Sequence, residues 1–181
     1  MTKIWHEKNI NHLDQMMMVH KNTLLEALDI QITKIGDDFI QGTMPVNEKT
    51  KQPYGILHGG ASLALAESLA SIGAGLYIDH SKYKVVGQEI NANHLRSATK
   101  GLVTGIARPI FLGKRSQVWE IKIYKSEKIK DPGFINLRFL ISQTYISEKI
   151  EDLRFINLRF LVFLRFINLR NQFLRIINLR K

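Results

Sequence analysis

The sequence predicts an α+β fold in which an antiparallel sheet curls round one central helix. Three observations predict it: strand-like runs lie on both sides of a single long apolar segment at residues 61–78, that segment is small and apolar on every face, and turn residues separate the runs. A composition of 45% hydrophobic and 23% charged residues over 181 positions is that of an ordinary globular domain with one core.

The elements follow in order. Residues 10–28 carry Leu13, Met16, Met17, Val19, Leu24, Leu25 and Leu28 mostly three or four apart, the spacing of an amphipathic helix. Ile30, Ile32 and Ile35 alternate with polar residues, Gly36-Asp37-Asp38 can turn the chain, and residues 39–44 resume the strand-like pattern, so a hairpin is expected. Residues 47–54 are polar, contain Pro53 and form a loop. The segment at 61–78 holds one charge, Glu67, and reads as a buried helix. Residues 85–95, 102–112 and 117–124 are rich in Val and Ile and are separated by Gly101 and Gly113, which makes three more strands.

The end of the chain repeats itself. Phe134-Ile135-Asn136-Leu137-Arg138 recurs at residues 155–159 and 166–170, and with Ile in first place at 176–180. Spacings of 21, 11 and 10 residues are too short and irregular for a solenoid, and an Arg about every fifth residue matches neither strand nor helix periodicity. Residues 1–147 are expected to form the domain, with a repeat unit inserted near 131–139 that displaces a last strand to residues 140–146. Residues 148–181 then form a low-complexity, repeat-containing tail.

Charge and cysteine usage narrow the function. The formal net charge of +10 is concentrated in the tail: residues 1–133 hold 17 basic and 13 acidic residues, and residues 134–181 hold 9 and 3. No nucleic-acid partner is expected of the domain. The absence of cysteine excludes disulfides and thiolate ligands. No second His stands at ligand spacing from His94, so no metal is expected. The first residues lack the apolar core of a signal peptide and no apolar run approaches the ~18 residues of a membrane span, so a cytoplasmic location is expected.

A carboxylate within an otherwise uncharged helix is costly to bury without partners, which makes Glu67 a candidate for chemistry. Ser71 stands at i+4, one turn on, where a hydroxyl can orient the carboxylate or a water. His58-Gly59-Gly60 opens the helix, and the unpaired amides of a helix N-terminus favour a developing negative oxygen. Gly59 and Glu67 are eight residues apart, roughly 12 Å along a helix, so one chain cannot bring both to one carbonyl. A site shared across a dimer interface removes the difficulty.

Gln52-Pro53-Tyr54-Gly55-Ile56-Leu57-His58-Gly59-Gly60, Ala66-Glu67-Ser68 and residues 85–97 resemble hotdog-fold thioesterases of the phenylacetyl-CoA thioesterase superfamily. Within it the chain is similar to the 1,4-dihydroxy-2-naphthoyl-CoA thioesterases of menaquinone synthesis and the proofreading thioesterases of enterobactin synthesis. The resemblance implies a hotdog fold, a homotetramer built as a dimer of dimers, and hydrolysis of an acyl-CoA thioester in which CoA is part of the substrate and no cofactor is needed. It implies that Glu67 is nucleophile or general base, that Gln52 lies near the thioester, that His58 positions the substrate, that the Gly59 amide polarises the carbonyl and that Ser71 assists the attacking water. It also implies that Gly87, His94, Leu95, Arg96, Ser97, Phe111, Leu112, Gly113, Lys114, Arg115 and Ser116 hold the CoA nucleotide and pantetheine arm. A non-catalytic acyl-CoA-binding module, or a thioesterase acting on carrier-protein-bound acyl groups, are the alternatives.

Overall fold

The computed structural model describes residues 3–11, 21–126 and 135–145. The expected tail at residues 148–181, and residues 131–134 of the expected insertion, lie outside them.

Helix α1 (Glu7–Asn11) and helix α2 (Leu24–Ala27) precede strand β1 (Gln31–Ile35) and strand β2 (Ile40–Pro45), which pair antiparallel as the expected hairpin. Helix α3 (Gly59–Tyr77) follows, then β3 (Tyr83–His94), β4 (Leu102–Leu112), β5 (Ser116–Lys125) and β6 (Ile135–Tyr145). The described strands form one antiparallel sheet in the order β1-β2-β4-β5-β6-β3. Helix α3 packs against β2 through β6, the arrangement expected of a sheet wrapped round a central helix.

Two differences from the sequence reading stand out. Residues 12–20 of the single helix expected over 10–28 lie outside the described residues; towards its end Asn22 takes a left-handed φ of 61°, Thr23 is extended, and helix α2 begins at Leu24, so no one helix runs through to Leu28. Asn tolerates the left-handed region better than most residues, so the Asn22-Thr23 pair overrides the helical spacing there. The last strand starts at Ile135, not Leu140. Residues 135–138 of the first repeat unit therefore belong to the leading half of β6 and are not an insertion beside it, because Ile135, Leu137, Phe139 and Ile141 alternate and all four are buried.

The core is built from α3 and the inner face of the sheet, with Leu65, Leu69, Leu76, Trp119, Ile121, Ile123, Leu137 and Ile141 fully buried. Gly42 and Gly105 are register partners on β2 and β4. A Cβ on either would come within 2.8 Å or 2.6 Å of a Leu69 methyl, so the paired glycines form a notch that receives Leu69. The N-terminal segment closes one end. Trp5 stacks on Trp119 with ring centroids 6.4 Å apart, and Asn9 Nδ2 donates to the carbonyls of Gly75, Leu76 and Ile78 at the end of α3.

Candidate active site

Helix α3 starts where the loop before it is tied down. His58 N donates to Thr50 O and Gln52 N to Ile56 O, which holds Gln52, half-buried, just upstream of the helix. Leu57 N donates to Ala98 O, which fastens this loop to the segment following β3. His58 is the N-cap, and its Nδ1 accepts from Gly60 N at 2.8 Å. The sequence reading left both glycine amides unpaired, but the imidazole takes one of them. The Gly59 N–H is left, and among the described residues it donates to nothing. A helix N-terminus with one open amide attracts a partial negative charge such as a polarised carbonyl oxygen.

Glu67 is two turns further on, and it is exposed on the single chain. The expectation of a buried carboxylate is thereby corrected. Ala61, Leu65, Ala66, Leu69 and Ala70 are buried, while Glu67 lies on another side of α3, against the edge strand β3. Ser71 follows at i+4 and is half-buried. Gly87 of β3 lies beside Glu67: a Cβ there would be 3.4 Å from Glu67 Oε1 and 2.5 Å from Cζ of Phe139. Phe139 was not singled out from the sequence. Its signal was its inward position in β6, concealed by the repeat.

Strand β3 runs back along α3, so its far end meets the start of the helix. The His94 imidazole comes within 3.2 Å of a Cβ placed on Gly59. Leu95, Arg96 and Ser97 follow, all exposed, beside the Gln52–His58 loop. The β4–β5 turn lies at the other end. Leu112, Gln117, Ile141 and Gly87 form one row across β4, β5, β6 and β3, three strand spacings or roughly 14 Å wide. Phe111, Leu112, Gly113, Lys114, Arg115 and Ser116 thus share the Gly87 end, where Gly113 N donates to Ser116 O. Phe111, Lys114 and Arg115 are exposed, whereas Leu112, Gly113 and Ser116 are half-buried.

The structure therefore brings the candidate residues together in two groups. Gln52, His58, Gly59 and His94 to Ser97 gather at the start of α3. Glu67 and Gly87 meet, with Ser71 one helical turn on, seven residues or roughly 23 Å of strand from His94, and residues 111–116 share that end of the sheet about 14 Å away. Among the described residues no three His, Asp or Glu side chains cluster as metal ligands do, and no helix is long and apolar enough to cross a membrane.

Residues 54–130, which hold α3 and both groups apart from Gln52, match the model of the Thioesterase superfamily. The 1,4-dihydroxy-2-naphthoyl-CoA hydrolase of Escherichia coli is 48% identical over 121 residues, covering 67% of this chain and 87% of that protein. The chain belongs to the thioesterase superfamily. The proofreading thioesterase EntH of Cronobacter turicensis is 46% identical to this thioesterase over 115 residues, covering 64% of this chain and 83% of the relative. A crystal structure of a mutant of the thioesterase PA1618 from Pseudomonas aeruginosa superposes on the chain with a TM-score of 0.73 at 36% identity, covering 80% of this chain and all of that one. The fold of this thioesterase is accordingly a hotdog, a sheet wound round a central helix, and the chain is a thioester hydrolase.

Proposed function

We propose that this thioesterase hydrolyses acyl-CoA thioesters to the free acid and CoA at a site shared by two copies of the chain. The observation that carries the reading is the separation of the two groups. The open Gly59 amide and the Glu67 carboxylate are eight helical residues apart, and each has its own half of the candidate CoA-binding residues beside it. A second copy set antiparallel along the edge strand β3 would bring one chain's Gly59 half to the other's Glu67 half. Val86 and Leu95, respectively 54% and 61% exposed on the single chain, belong to the surface such a partner would cover. Pairs of this dimer then build a dimer of dimers.

In this site the Gly59 N–H donates to the thioester carbonyl oxygen and stabilises the negative charge that grows there. Glu67 either attacks the carbonyl carbon, expelling the CoA thiolate and leaving an anhydride that water cleaves, or takes the proton from the water that attacks. Ser71 orients that water, while Gln52 and His58 hold the acyl end. Arg96 serves the CoA phosphates from one half, and Lys114 and Arg115 from the other. The name of the Escherichia coli relative favours an aromatic acyl group. A chain without cysteine suits a reducing compartment, and we place the enzyme in the cytoplasm.

The test is release of free CoA from a panel of aromatic and aliphatic acyl-CoAs, followed with a thiol reagent. The protein itself contributes no thiol. Glu67→Ala is expected to lower kcat by about 100-fold or more, since a positioned acid–base group is worth ~10²–10⁴. Unchanged turnover would remove Glu67 from the mechanism.

A further inference from the structure

Two aromatic side chains on the inner face of the sheet stand against bare backbone. Trp119 of β5 presses on α3 at Gly73, where a Cβ would lie 2.6 Å from its Cη2 and 2.8 Å from its Cζ3. Phe139 of β6 presses on β3 at Gly87, where a Cβ would lie 2.5 Å from its Cζ. The two residues are register partners on neighbouring strands, and both are buried. Glu67 belongs to α3 and its Oε1 lies beside Gly87 of β3, so the carboxylate stands where the two elements held by these rings come together.

A ring against a glycine is a stiff spacer. The glycine side has no side chain whose rotamer could take up slack, and a close-packed interior transmits a displacement instead of absorbing it. Cη2 and Cζ3 are outermost carbons of the indole, so a shorter ring at position 119 would stop short of the helix. The plane of the indole is fixed as well, because its Nε1 donates to Gln117 Oε1 at 2.8 Å inside the core.

The N-terminal segment holds this spacer in place. Trp5 lies over the face of Trp119, with the ring centroids 6.4 Å apart and the planes 8° from parallel. Trp5 is itself tied down: its Nε1 donates to Gly36 O at 2.6 Å, and the amides of Ile4 and His6 donate to Asp37 O and Leu76 O. The segment is thus fastened both to the β1–β2 turn and to the last turns of α3, on either side of the ring that covers Trp119.

We propose that Trp119 is a positioning residue for Glu67, setting the distance of α3 from the sheet, and that Trp5 keeps it in that role. The inference rests on the reading of Glu67 as the group that acts on the thioester. When the spacer is slack, α3 settles toward β5 at Gly73, and Glu67, six residues earlier on the same helix, moves out of line with the carbonyl. A shift of ~1 Å costs about 10- to 100-fold in rate. No group that holds CoA is removed, so the loss falls on kcat and leaves KM in place.

Steady-state kinetics on the full chain, with an acyl-CoA that the parent hydrolyses and under conditions where urea melts show each variant folded, test the proposal. Trp119→Phe should lower kcat by about 10-fold or more at unchanged KM. Gly73→Ala added to it should return part of the loss, because the new methyl takes the place left by the outer indole carbons, whereas Gly73→Ala alone should lower kcat. Trp5→Ala should likewise lower kcat, and Trp5→Phe, which keeps a ring on Trp119, should retain most of it. If Trp119→Phe does not fold, the comparison of Trp5→Ala with Trp5→Phe decides. A kcat per folded molecule equal to that of the parent in Trp119→Phe and Trp5→Ala, or a loss that falls on KM or that Gly73→Ala does not relieve, overturns the proposal. Glu67→Ala measured alongside separates the two readings. If it has lost turnover while the tryptophan variants have not, the spacer fails alone; if it keeps turnover, the reading of Glu67 fails and the spacer's role goes with it.

Discussion

Gly87 and Glu67 meet where β3 crosses α3, with the Oε1 of Glu67 standing 3.4 Å from the place a Cβ on residue 87 would take. Phe139 fills the other side of the same gap, its Cζ 2.5 Å from that place. Gly87→Ala is expected to push the new methyl into the Phe139 ring and displace Glu67, lowering kcat about 10- to 100-fold, as misplacement by ~1 Å can. Adding Phe139→Leu should return part of the loss by freeing space. Steady-state kinetics on the two variants check this, and a kcat for Gly87→Ala equal to that of the parent would show that Gly87 does not position Glu67.

The two-copy site predicts complementation. Glu67→Ala chains and Gln52→Ala chains, each of low activity, are unfolded together and refolded. Half the random dimers are then mixed, and each mixed dimer has one intact site of two, so roughly a quarter of the parent activity should return. Glu67→Ala with Ser71→Ala should give no such return, because both lesions fall in one half. No recovery in the first mixture, with mixed dimers verified by native mass spectrometry, would mean that the groups act within one chain.

Asn9 caps α3 from a distance. Its buried amide donates to Gly75 O at 3.1 Å, Leu76 O at 3.2 Å and Ile78 O at 2.7 Å, two hydrogens shared among three carbonyls. Asn9→Ala leaves those acceptors without it and should lower stability by about 1–3 kcal/mol. Asn9→Asp should cost more, because a carboxylate repels the same oxygens. Urea denaturation would register both as a fall in the midpoint at constant slope. An unmoved midpoint would show that water replaces the cap.

Asp79 follows α3, and its carboxyl is held down to about 2 from 3.8, first by the Ser81 hydroxyl and then by the Ser81 amide, with Lys82 adding to the effect. A depressed carboxyl contributes stability above its ordinary value of 3.8 that disappears as the pH falls through about 2. Ser81→Ala removes the first cause and should raise the pKa part-way toward 3.8. Carbon-detected NMR titration of the Asp79 carboxyl measures it, and a midpoint unchanged by the substitution would assign the shift to the backbone amide and Lys82.

The strands at 85–95, 102–112 and 117–124 were legible because Val, Ile and bounding glycines carry a local signal, and each appears within two residues of its expected ends. The central helix was legible from its length and lack of charge. The start of β6 was not, since the repeat and its Arg spacing conceal the alternation of Ile135, Leu137 and Phe139. Nor was the capture of the Gly60 amide by His58, which depends on the imidazole rotamer. Nor was the exposure of Glu67 beside Gly87, which depends on where β3 crosses α3, a long-range fact of packing. The two-ended division of the site residues likewise needed the register across β6.

The notch formed by Gly42, Gly105 and Leu69 implies a conservation law for volume. What the two strands give up, one helical side chain takes, and a Cβ on Gly42 would in addition meet the Gln31 carbonyl oxygen at 2.7 Å. Drift at any one of the three positions is checked by the other two. Gly105→Ala on its own is a clash and Leu69→Ala on its own is a void, whereas a chain carrying both loses the clash and refills the void in part, one carbon being added where three are removed. Diverging descendants of this sequence would be expected to alter that notch only by paired steps.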